Sequence, residues 1–189
     1  MHRYFLEQHS TFFKELLAPY PAHYTDPITL VTNIRDFDRL LSFFYPAYAF
    51  LIFLRKNPLL TTSPLFISDL SEPEIKSVEE WTSILSVATN WSFTQLRKRA
   101  INALSTKANA VQRITIARQY NVKELAYAGY EELCMRSQPV PLQDAEELGL
   151  KTVLKIWEAQ QDLMKVGFCR MHCCKTYVEH TIKKKFDLE

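Results

Sequence analysis

The stretch Glu79–Leu104, EEWTSILSVATNWSFTQLRKRAINAL, constrains this chain more than any other part of it. Trp81, Ile84, Leu85 and Ala88 recur at i, i+3, i+4 and i+7, the spacing that lines one side of an α-helix with apolar groups. The pattern breaks at Asn90-Trp91-Ser92. A second stripe of Phe93, Leu96, Ala100 and Leu104 then begins, with Arg97, Lys98 and Arg99 on the other face. Ser92 followed three residues later by Gln95 fits a capping box, in which a side-chain oxygen takes an orphan backbone N–H at a new helix start. The spacing therefore predicts two core-facing helices joined by one tight corner. Nothing in the stretch is chemical.

The flanking sequence continues in the same manner. Arg3–Leu17 places Phe5, Leu6, Phe12, Phe13, Leu16 and Leu17 as apolar positions, with Ser10 available to cap a second turn of helix, which predicts helix, break, helix. Pro19, Pro21 and Pro27 bound a loop, and Ile28–Val31 is a short β-favouring run that reads as a strand. In Arg35–Tyr45 the residues Phe37, Leu40, Leu41 and Phe44 fall at helical spacing, Asp36 suits the first turn, and Pro46 ends the pattern. After Ser105 two further helices are predicted. Val111, Ile114, Ile116 and Ala117 face inward on the first, Leu125, Ala126, Tyr130 and Leu133 on the second, and Asn121 interrupts them. Asp144–Leu148 reads as a short helix ended by Gly149, and a long one follows from near Lys151. Its apolar side is read as Val153, Leu154, Trp157 and Leu163 or Met164.

Composition excludes several function classes. A chain of 189 residues is long enough to bury a sizeable core, and an aromatic share of 13% points to a packed interior or an adhesive surface rather than disorder. With 23 basic and 21 acidic residues the net charge is +2, which gives nucleic acid no long-range advantage over other partners. The 3 glycines, Gly129, Gly149 and Gly167, are too scattered to cradle a phosphate. No secretory leader is read ahead of Arg3, so the 4 cysteines are expected to be reduced, in cytoplasm or nucleus. The uncharged run Leu40–Leu54 contains Pro46 and falls short of the about 20 apolar residues a membrane span needs; membrane association through residues 40–54 stands as an alternative reading.

The tail holds the one cluster that could carry chemistry. Cys169, His172 and Cys173 share a helical face, and with His180 they form a thiolate and imidazole set of the kind zinc prefers, although the spacing matches no common zinc module. A run of reduced, half-buried thiols is the simpler reading. His172 or His180 could also lower a thiol pKa, but no third group and no oxyanion-hole turn accompany them. Lys183–Lys185 reads as a solvated basic face, with a weak nuclear-targeting patch as the alternative. The rings of Tyr4, Phe5, Phe12 and Phe13 suit either a core or a partner's surface.

In order, these segments resemble the BTB/POZ domain, in the divergent form abundant in mushroom-type fungi. HRYFLEQHSTFFKELL resembles that family's H-x-x-x-L-x-x-x-S-x-x-F-x-x-x-L helix pair, and ITLVTNIRDFDRLLSFFYP its third strand and following helix. EEWTSILSVATNWSFTQLRKRAINAL is similar to the paired helices after it, and RITIARQYNVKELAYAGYEELCMR to the helices that follow BTB domains. The likeness spans residues 2–46 and 72–160. Two departures stand out: the family's opening β-hairpin would end at the residue matching His2, where this chain begins, and residues 47–71 match no family element.

The resemblance implies an α/β (α+β) fold that is predominantly helical: a BTB/POZ-like domain over residues 1–105, a helical extension over 106–165 and a Cys- and Lys-containing tail over 166–189. It also implies a non-enzymatic protein-interaction module without catalytic residues or cofactors. The module would homodimerise through an opening helix carried by Phe5, Leu6, Ser10, Phe12 and Phe13. In many relatives such a module is an adaptor to a cullin-type ubiquitin ligase, whose surface here would draw on Asp36–Tyr45 and the helices after Glu79.

Overall fold

The computed structural model describes residues 3–21, 27–44, 77–165 and 173–188. Among them every regular element is an α-helix: α1 (Arg3–His9), α2 (Thr11–Leu17), α3 (Ile34–Phe44), α4 (Val78–Asn90), α5 (Thr94–Lys107), α6 (Ala110–Tyr120), α7 (Lys123–Met135), α8 (Leu142–Leu148), α9 (Leu150–Lys165) and α10 (Cys173–Phe186). The fold is predominantly helical. The strand expected at Ile28–Val31 is not formed among the described residues, where no other strand offers backbone partners. Val31 instead stands 98% exposed, and Asn33 starts α3 by accepting the Arg35 N–H on its side-chain oxygen at 2.9 Å. The apolar run Leu40–Leu54 lies outside the described residues from position 45 onward, while Leu40 and Leu41 are buried core positions of α3. No described helix is long and apolar enough to cross a membrane.

The chain divides into two compact units, Met1–Ala100 and Ile101–Glu189, with the boundary inside α5. In the first unit α1 packs on α2 and α3 on α4. Ile84, Leu85 and Ala88 of the predicted stripe are buried, and Ser77 with Glu80 forms a reciprocal capping box at the start of α4. The corner after α4 differs from the sequence reading. Ser92 is not the N-cap of α5; it ends α4 in the left-handed conformation at φ 53°, while the Phe93 N–H reaches back to the Ala88 carbonyl at 2.9 Å. That is a Schellman-type terminus, which needs one residue at positive φ. With so few glycines in the chain, a serine supplies it. The turn lets Trp91 and Phe93, on either side of Ser92, both bury.

In the second unit α6 and α7 form the closest helix pair. Asn109 and Gln112 make a reciprocal capping box at the start of α6, and Asn121 closes it at φ 51°, with the Val122 N–H on the Ala117 carbonyl at 3.0 Å. The inward positions expected on both helices are all buried. Gly129 permits the approach: a Cβ there would lie 2.7 Å from Ile114 Cγ1 and 2.8 Å from the Ala110 carbonyl oxygen. Helices α9 and α10 pack on α7 and on each other, with the Tyr130 and Phe186 rings stacked at 3.7 Å. The expected inner side of α9 is corrected here. Ile156, Ala159 and Leu163 face the core, whereas Leu154, Trp157 and Met164 point outward. A helix with apolar groups around most of its circumference has two candidate faces, and the buried one here carries Ile156, Ala159 and Leu163.

Candidate functional site

The opening helices are held in place by polar contacts at both ends. Ser10 is extended, at φ −139° and ψ 123°, and accepts the Phe13 N–H on its hydroxyl oxygen at 3.1 Å, which caps α2. The same hydroxyl donates to the Trp91 carbonyl at 2.5 Å, joining α2 to the corner between α4 and α5. Arg3 closes the other end. Its guanidinium donates to the Leu17 and Tyr20 carbonyls at 2.8 and 2.7 Å while pairing with Glu7 at 2.6 Å, so one cation ties α1 to the end of α2 and the turn after it. Sequence reasoning missed Arg3, because nothing in its spacing shows that α1 and α2 fold back on each other.

Rings fill the space between these elements. Phe13 lies edge-on to Trp91 at 5.2 Å and tilted against Phe93 at 5.8 Å. Phe37 of α3 reaches Trp91 at 5.9 Å, and Phe44 reaches Phe93 at 5.3 Å. Such edge-to-face pairs add directional energy to apolar burial. Of the five residues assigned to an interaction surface, Ser10 and Phe13 are each only 2% exposed. They are consumed inside the unit and position the helices from within. Leu6 and Phe12 are half-buried, and the Phe5 side chain lies outside what the structure describes. Tyr4, which sequence reading left among the undifferentiated rings, is 72% exposed.

The tail cluster is not brought together among the described residues. Cys169 and His172 fall outside them, as does the Cys173 side chain, and His180 sits exposed on α10. No described group of three or more His, Cys, Asp or Glu is placed to hold a metal. Within the basic run, Lys185 pairs with Asp162 at 2.8 Å and Glu158 at 3.3 Å and is mostly covered, while Lys183, paired with Glu179 at 2.6 Å, and Lys184 stay in contact with solvent.

One hollow of about 230 Å³ opens between α7 and α9, bordered by Cys134, Arg136, Gln160, Leu163 and Met164. Burial pushes the Cys134 thiol up to about 12, with Lys185 opposing the shift, so at neutral pH it is a protonated packing group and a poor nucleophile. Gln160 spends its amide on the Leu133 carbonyl at 2.9 Å, capping the end of α7, and Arg136 pairs with Glu132 at 2.7 Å. No buried side-chain nitrogen or oxygen among the described residues lacks a hydrogen-bond partner. Protein-family models, curated proteins and solved structures give no match to this chain.

Proposed function

We propose that this chain is a protein–protein interaction module of the BTB/POZ-like kind, whose opening helices meet a second copy of the chain. The observation that carries the reading is the Ser10 hydroxyl bridging the Phe13 N–H and the Trp91 carbonyl. It ties together two segments that the BTB resemblance names independently, and it holds α1 and α2 rigid, with Tyr4 outward. Leu6 and Phe12, half-buried beside it, extend the apolar surface. An exposed ring on a helix tied down from within, flanked by partly covered apolar neighbours, suits an interface, since aromatic residues dominate interface energetics. An adaptor role toward a cullin-type scaffold belongs to the same reading, and would use α3, where Ile34 stands 77% exposed, together with α4 and α5.

Sedimentation velocity on the full chain at tens of micromolar tests the dimer, with Tyr4→Asp as the variant. Tyr4 is exposed, so the substitution leaves the fold intact while placing a charge in the contact. The expected result is at least a tenfold weaker association, equivalent to the about 1.4 kcal/mol that a tenfold change represents. Unchanged association in Tyr4→Asp would sink this assignment of the interface.

A further inference from the structure

Helix α9 carries a second apolar face that the described residues of its own unit leave exposed. Leu150, Leu154, Trp157, Gln161 and Met164 follow one another at spacings of four, three, four and three residues. That is the 3.5-residue repeat of a coiled-coil seam, with Leu150, Trp157 and Met164 at d positions and Leu154 and Gln161 at a positions. The seam lies opposite the packed face. Ile156, Ala159 and Leu163 are buried, while Leu150 is 75%, Leu154 52%, Trp157 57% and Met164 56% exposed. The flanks are already occupied: Gln160 by the end of α7 on one side, Glu158 and Asp162 by Lys185 on the other. Neither flank covers the seam itself.

We infer that this seam is a pairing surface for a second copy of the chain, with two α9 helices side by side, parallel and in register. The interface is separate from the one assigned to the opening helices. Two features favour a second copy over an unrelated helix. The repeat is self-complementary, since a parallel in-register pair sets every d residue against d and every a residue against a. Gln161, half-buried and the only polar residue in the seam, then meets the same residue of the second copy, and the two side-chain amides satisfy each other. A single polar position of this kind selects register, because any slip sets the amide against Leu or Trp without a partner. The exposed side chains offer on the order of 500 Å² per copy, so their complete burial in a pair gives about 1,000 Å² in total, the lower bound for a specific interface.

The test uses the full chain carrying Tyr4→Asp, so that association through the opening helices is weakened at least tenfold. Sedimentation velocity at tens of micromolar is expected to show a remaining dimer, which Leu154→Glu with Trp157→Glu converts to monomer; both sites are exposed, and circular dichroism confirms that helicity is kept. Register is tested by Gln161→Cys in a chain with Cys169, Cys173 and Cys174 changed to Ser. Mild oxidation should give a disulfide-linked dimer, while Lys155→Cys, on the flank, should not. A Tyr4→Asp chain that is already monomeric, or a Gln161→Cys chain that crosslinks no better than Lys155→Cys, overturns the proposal. Wild-type behaviour in Tyr4→Asp that is abolished by the Leu154 and Trp157 changes instead supports the seam and rejects the opening-helix interface.

Discussion

The Ser10 hydroxyl donates to the Trp91 carbonyl across 81 residues of sequence while accepting the Phe13 N–H three residues away. One side chain thus caps a helix and fastens it to a distant corner. Both ends of the arrangement are buried, so water cannot replace the lost partner when the hydroxyl is removed.

Ser10→Ala is therefore expected to destabilise the first unit by about 2–3 kcal/mol, combining a lost cap with an unsatisfied buried carbonyl. Urea unfolding followed by tryptophan fluorescence reads this directly, because Trp91 is in the affected cluster. A change below about 0.5 kcal/mol, the usual range for a surface substitution, would show that the bridge is not a structural tie.

Ser92→Gly is expected to act in the opposite direction. Ser92 is exposed and sits at φ 53°, where a Cβ is strained and glycine is not. The substitution should raise stability by roughly 0.5–1 kcal/mol despite the larger backbone entropy of glycine when unfolded. The same urea experiment decides the sign.

Gly129→Ala sets helix propensity against packing. Alanine favours an isolated helix by about 1 kcal/mol, yet its Cβ would meet Ile114 Cγ1 at 2.7 Å and a backbone oxygen at 2.8 Å. The backbone oxygen cannot turn aside. Overpacking at about 1–3 kcal/mol is expected to win, so the second unit should lose stability and melt earlier in thermal unfolding. A stabilised variant would mean that α6 and α7 separate readily.

Cys134 predicts a pH dependence. Its thiol, at about 9 when unfolded, is pushed up to about 12 in the folded chain by burial, so the native state holds the proton more tightly. Stability from this group is complete below the unfolded value and declines as pH rises from 9 toward 12. Tyr127, also raised to about 12 by burial and by Glu131, acts in the same direction. Cys134→Ala should flatten the alkaline slope of the unfolding free energy, and a slope unchanged by the substitution would contradict this assignment. With Cys169, Cys173 and Cys174 replaced by Ser, native Cys134 should also resist alkylation until the chain is denatured.

Inward positions on α6 and α7 were legible because each of those helices has a single apolar stripe, and its period names the buried residues. Val111, Ile114 and Ala117 on α6, or Leu125 and Leu133 on α7, could be assigned without knowing what covers them. The opening helices were legible for the same reason, and Ser10 as a cap followed from its place between two stripes. The candidate surface was less so. Phe12 and Phe13 are adjacent rings, and periodicity does not say which is half-buried and which is sealed.

What the amino-acid sequence determined by itself is local: helix spans, the cap at Ser10, the stop at Gly149 and the absence of any glycine loop for phosphate. Those follow from backbone sterics and hydrogen bonding within a few residues. What tertiary structure decided depends on groups distant in the chain. Ser92 became a left-handed terminator rather than a cap because Trp91 and Phe93 both had a cluster to enter. Helix α9 turned Ile156, Ala159 and Leu163 inward and left Leu154, Trp157 and Met164 in solvent because α7, α8 and α10 contact it, and which of two apolar faces they cover is not encoded in α9 alone. Hydrophobicity ranks the faces of a helix, and the shape of the neighbour chooses between them.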